Sequence, residues 1–415
     1  MLTSLAFIFL IGLSTAAICQ KWKLPRIIGM LITGIALGPY VLNVLDPSIL
    51  SISSELRQMA LIIILLKAGL SLTLSDLKKV GRPAIMMSCV PAGFEILAFF
   101  LFAPDLLEVS RMEAAVMGAV LGAVSPAVVV PKMVQLIDNR YGTQKGIPQF
   151  IMAGASCDDI FVVVLFTAFV SMAQGGQVHI MDFVNIPISI ILGIALGALV
   201  GFFLSVFFET AYAHKHCVRN SMKVIIVLGI SFMLMAIESW AEDFVAISGL
   251  LAVVSMACVL KLKSIADVSK RLSEKFGKLW MAAEVILFVL VGAAVDIRYT
   301  MEAGLPAIAM IFFALIFRGI GVFVCLVKTN LNWKERLFCV IAYLPKATVQ
   351  AAIGSVPFAM GLPCGQLVLS VAVSAILITA PLGAIGMDLT YKKLLTREEV
   401  NKSEAVKTEQ RNDCT

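Results

Sequence analysis

The sequence predicts an all-α polytopic membrane protein, with about thirteen transmembrane helices, inverted repeats and two broken crossing helices. Three observations predict it: an extreme apolar composition cut into membrane-length segments, basic residues that fall on alternate connections, and helix breakers with buried charges in two segments of opposite direction. Of 415 residues, 60% are hydrophobic and 14% charged, a balance that excludes an ordinary soluble domain.

The apolar segments lie near 2–19, 27–44, 56–74, 83–103, 113–135, 149–173, 184–208, 222–238, 244–262, 280–297, 305–328, 336–359 and 366–389. The first lacks a preceding basic flank and a cleavage site, so it reads as a retained helix rather than a signal peptide. Between segments, basic residues cluster on one side, at Lys21–Arg26, Lys78–Arg82, Lys132–Lys145, Lys215–Lys223, Lys261–Lys278, Lys328–Arg336 and from Lys392 onward. Arg57, Arg111 and Arg298 fall on the other. Cytoplasmic loops are enriched in Lys and Arg, so the expectation is an inner (cell) membrane protein, amino terminus outside and carboxyl terminus cytoplasmic. The net charge of +6 is this bias, and gives no reason to expect nucleic acid as a partner.

The fifth segment carries Val124-Ser125-Pro126 at its middle and Pro131 beyond, and the twelfth carries Gly354 and Pro357 after Lys346. Proline removes a donor and clashes with the preceding turn, so both helices are expected to be kinked or unwound. Seven segments apart, they run in opposite directions, as an inverted repeat requires. Pairing segments four to six with eleven to thirteen also matches Glu95 with Arg318. In the seventh segment Gly193, Gly197 and Gly201 make a small-residue face suited to packing within the bundle or to a dimer contact.

Asp158 and Asp159 fall at the middle of the sixth segment, about 15 Å deep, where an ionisable residue marks a functional site. Successive on a helix, they diverge by about 100°, so one is expected to line an aqueous cavity while the other pairs with a cation. Lys346 is the expected partner of Asp158, and Glu95 and Arg318 a neutralising pair. A carboxylate beside backbone oxygens or the Ser125 hydroxyl is a hard oxygen site, suited to sodium or lithium at Asp159 and Asp158, for which a proton competes. Lys67 has no assigned role, and Glu238, Glu284 and Asp388 read as solvated span ends. The nine cysteines are scattered without a CxxC pair, and His179, His214 and His216 fall in predicted loops, which implies neither disulfide framework nor zinc site. No cofactor is expected beyond the transported ions. The charged tail from Arg397 to Thr415 reads as disordered.

Several motifs together resemble the monovalent cation:proton antiporter superfamily, and in particular bacterial relatives of solute carrier family 9 subfamily B, the NHA-type sodium/proton antiporters. They are Leu24-Pro25-Arg26, Lys67-Ala68-Gly69-Leu70, Val124 through Pro131, Gly154 through Asp159, and Pro345 through Ala352. The resemblance implies a homodimer that moves its ions by an elevator motion. Residues 1–74 and 184–262 would form mainly the dimerisation scaffold, 83–173 and 280–389 mainly the ion-transport core, and 390–415 a cytoplasmic tail. It also implies that Asp159 is the principal ion- and proton-binding carboxylate, with Asp158 its partner, and that Glu95 and Arg318 form a buried ion pair. Lys346 stands where related exchangers carry an arginine. The leading function is therefore sodium (or lithium)/proton antiport. Potassium/proton antiport and organic-anion symport on the same fold are the alternatives within transport. An intramembrane aspartyl protease needs its two aspartates on facing helices, which this chain does not offer.

Overall fold

A computed structural model describes residues 1–22, 24–71, 81–174, 180–215, 220–241 and 247–397, and these are helical throughout, with a single isolated bridge between Tyr141 and Arg397. The helices are α1 (Leu2–Lys21), α2 (Arg26–Leu37), α3 (Pro47–Ser51), α4 (Ser53–Ser71), α5 (Arg82–Met87), α6 (Val90–Leu107), α7 (Arg111–Leu121), α8 (Pro126–Asp138) and α9 (Ile147–Gln174). There follow α10 (Ile180–Lys215), α11 (Asn220–Ala241), α12 (Gly249–Lys263), α13 (Ala266–Ala293), α14 (Ile297–Cys325), α15 (Trp333–Ala342), α16 (Thr348–Gly354), α17 (Val356–Ala359) and α18 (Gly365–Leu394). Among the described residues, nine helices are long and apolar enough to cross a membrane, counting 82–107 and 111–138 each as one. His179, His216 and the tail from 398 lie outside the described residues, whereas His214 belongs to α10 rather than to a loop.

Local chemistry sets the element ends. Ser110 and Glu113 close a capping box at the start of α7, and Asn332 and Glu335 close another at α15, so orphan amides are satisfied where each helix begins. Pro126 occupies the first turn of α8, where its missing N–H costs nothing. The chain is therefore unwound over 122–125, between α7 and α8, as the sequence predicts. Pro131 lies within α8 without interrupting it.

The second break departs from expectation. It falls at 343–347, between α15 and α16, because Pro345 drives Leu344 away from the helical region. Gly354 instead ends α16 and Pro357 starts the one-turn α17, a bend beyond the break. The two unwound segments touch, the Ser125 amide donating to the Pro345 carbonyl at 2.8 Å.

Helices gather in two groups. In one, α13 packs on α2 and α4, α1 on α2, and α10 along α12. In the other, α6 lies along α14, α7 beside α6 and α9, and α18 against α14, α15 and α16. Residues 280–293, counted from sequence with the transport core, sit on α13 against α2 and α4. The charged stretch 266–278 is the first half of this helix rather than a loop, which hid its true start. The small-residue face of α10 is spent inside the chain: a Cβ on Gly197 would come 2.1 Å from the Ala252 carbonyl oxygen of α12, so only glycine permits this approach.

Candidate functional site

The site grows from an unmet need of the two breaks. Unwinding two helices in a membrane interior strips backbone groups of their partners, and each must find another. Arg318 on α14 donates through Nε to the Tyr343 carbonyl at 2.6 Å and through Nη1 to the Gly122 carbonyl. Lys346 Nζ donates to the Leu121 carbonyl, while its own amide donates to Thr379 Oγ1 on α18 at 3.0 Å. Gln350 spans both breaks: Nε2 donates to the Ala123 carbonyl at 2.7 Å and Oε1 accepts from the Ala347 amide at 2.8 Å. The Val124 amide donates to Asp158 Oδ2 at 2.7 Å.

The side chains that serve the backbone also neutralise one another. Glu95 Oε2 accepts from Arg318 Nη1 at 2.6 Å and from Lys346 Nζ, and Asp158 Oδ2 accepts from Arg318 Nη2 at 3.1 Å. All four are buried, with two carboxylates set against two cations. The sequence pairs Lys346 with Asp158. The structure gives Lys346 to Glu95 and gives Asp158 to Arg318, because the planar guanidinium reaches both carboxylates and two carbonyls at once, which a single ammonium cannot. Glu95 and Arg318 are together as expected, within a larger cluster.

Asp159 stands outside that cluster. It is 6% exposed, against 0% for Asp158, and Oδ1 has no hydrogen-bond partner; no cation among the described residues pairs with it. One helix position from Asp158, it turns to a cavity of about 990 Å³ between the two helix groups. Ile64, Lys67 and Glu284 line the cavity from one group, and Pro126, Thr348 and Asp388 from the other. The Ser125 hydroxyl is buried beside the break, its oxygen without a partner, and the unmatched Oδ1 of Asp158 is likewise buried. Such oxygens are the donor type a small hard cation prefers.

Sequence reasoning missed four residues. Gln350 and Tyr343 carry no charge to draw attention, although a glutamine in an apolar segment is itself a signal. Asp388, one-third exposed near the end of α18, is in addition an ion-pair partner of Lys132 at 2.6 Å. Glu284 lies well within α13 and lines the cavity, as does Lys67, whose ammonium also sits 5.8 Å from the Trp280 ring centroid.

The comparisons agree with this architecture. The family model for the sodium/hydrogen exchanger, transmembrane, matches residues 5–391. Sodium/hydrogen exchanger 9B2 of Homo sapiens is 33% identical over 403 residues, covering 93% of this chain and 73% of that protein. Sodium/hydrogen exchanger 9B1 of Homo sapiens is 31% identical over 398 residues, covering 90% and 73%. Among solved structures, the sodium proton antiporter MjNhaP1 from Methanocaldococcus jannaschii superposes with a TM-score of 0.80 at 19% identity, over 95% of this chain and 98% of that one, and so shares its fold. With its broken helices crossing over buried charges, this multi-pass membrane protein belongs to the sodium/hydrogen exchanger family and is a transporter rather than an enzyme.

Proposed function

We propose that the chain exchanges sodium or lithium for protons at Asp159, with Asp158 as an anchored neighbour that holds the first break in place. One observation carries this reading: Asp159 is a buried carboxylate at the cavity wall with no cation of its own, while every other charge of the crossing is compensated. A small cation or a proton supplies the missing positive charge, and the two exclude each other there. Competition at one carboxylate, presented in turn to the two sides, is sufficient for antiport. Gln20, Arg26 and Tyr391, at or near the ends of α1, α2 and α18 beside the basic connections, line the cavity together with Lys132 of α8. By the charge bias of those connections the cavity faces the cytoplasm of a cell whose inner membrane holds the protein, with the amino terminus outside. Presentation to the other face follows from movement of the group bearing Asp159 against the group bearing α4 and α13, in a homodimer whose scaffold group stays fixed.

Proteoliposomes carrying a trapped pH dye test this. Sodium or lithium gradients are expected to drive proton movement in the native protein and not in Asp159→Asn, with an apparent sodium affinity that rises with pH as protons leave the carboxylate. Full exchange in a folded Asp159→Asn would falsify the reading. A response to potassium equal to that to sodium would reassign the cation.

A further inference from the structure

A second buried charge makes no ion pair among the described residues, of opposite sign to Asp159 and on the other helix group. Arg57, on α4, is 4% exposed; Nε and Nη1 have no acceptor, and no carboxylate among the described residues forms an ion pair with it. Glu55, two residues earlier, is exposed and accepts from Ser54 Oγ at 2.7 Å, so it offsets the Arg57 charge only from a distance. A guanidinium taken out of water with two of its nitrogens lacking an acceptor is costly, so its retention asks for a closer partner in another arrangement of the protein.

Helical register says where that partner comes from. Ile64 of α4 lines the cavity together with Asp159. Arg57 precedes it by seven residues, which places it about 10.5 Å along the axis and within about 20° of the same face. The displacement is toward the amino end of α4, away from Lys67 and the cavity mouth. Arg57 therefore lies along the face of α4 that Asp159 overlooks, on the closed side of the cavity. Asp159 belongs to the opposing group, and α16, next to its cavity, packs directly on α4.

We propose that Arg57 is the positioning cation that Asp159 meets when the site turns to the closed side, where the guanidinium displaces the bound metal ion and holds the empty carboxylate until a proton replaces it. Arg57 thus makes release on that side easier than binding. No covalent step is involved; the carboxylate exchanges one positive partner for another. The inference rests on Asp159 as the ion-binding group.

Side-specific transport tests it. In everted and right-side-out membrane vesicles, Arg57→Gln is expected to tighten the apparent sodium affinity at the closed face by about tenfold, since a unit charge a few ångströms away is removed, and to leave the cavity-face affinity unchanged. Arg57→Lys keeps the charge and is expected to behave as the native protein. Equal changes on both faces, or none, overturn the proposal, as does a lysine variant indistinguishable from glutamine. Should Arg57→Gln fail to fold, coupling of the Arg57→Lys ammonium to the Asp159 carboxylate by a membrane-permeant carbodiimide, read by mass spectrometry of the joined peptides, decides the matter, since that variant keeps the charge and the amide forms only where the two groups touch. A cross-link supports the approach and its absence overturns it. That readout needs no ion binding, so it stands or falls apart from the exchange assay of Asp159→Asn.

Discussion

Asp158 and Asp159 are neighbours in sequence and opposites in circumstance. Asp158 is held by the Val124 amide and by Arg318 as one of four mutually balanced charges; Asp159 has no such support. Their neutral variants are expected to separate accordingly. Asp158→Asn leaves the buried cations with only Glu95 and should cost about 3–5 kcal/mol, whereas Asp159→Asn removes an uncompensated charge and should leave stability unchanged or raised. Detergent melting of both variants checks this, and equal losses would remove the distinction. The same cluster predicts which double substitution is compensated. Glu95→Leu with Lys346→Met leaves Asp158 and Arg318 as a neutral contact pair, so the double variant should melt above either single one. Glu95→Leu with Arg318→Met strands Asp158 and Lys346 without a mutual ion pair, and should melt below the first double.

At the level of elements, each broken helix is completed by side chains from elsewhere. Gln350 is the clearest case, joining the Ala123 carbonyl of one break to the Ala347 amide of the other. Gln350→Leu should strand both groups at a cost of about 1–3 kcal/mol each, seen as a lower melting temperature. Close approach at the second break is also needed from α18: a Cβ on Gly383 would stand 2.4 Å from Pro345 Cγ. Gly383→Ala should therefore cost about 1–3 kcal/mol by overpacking and impair exchange, because Pro345 accepts the amide of Ser125 and moves the first break with it. Preserved exchange at native stability would show that the breaks tolerate displacement.

Over the whole molecule, two helix groups enclose a cavity that neither forms alone, and function at Asp159 depends on their relative position. Packing within one group should then affect stability and not ion affinity. Gly197→Val forces α10 from α12, neither of which lines the cavity, and is expected to lower the melting temperature strongly. Folded variant that remains should show the native sodium KM; a changed KM would mean that α10 and α12 shape the site. By itself, the sequence determined the all-helical membrane class, the break at Ser125-Pro126, the Glu95 and Arg318 pair and the prominence of the two aspartates. These are readable because hydrophobic length, proline and midplane charge act locally and carry a large energetic signature in lipid. Only the tertiary structure decided that Lys346 serves Glu95, that the second break lies at Pro345 rather than at Gly354 and Pro357, that Gly197 is consumed within the chain, and that Asp159 and Arg57 form no ion pair among the described residues. Charge compensation is a property of which helices meet, and a chain of apolar segments does not state that until they pack.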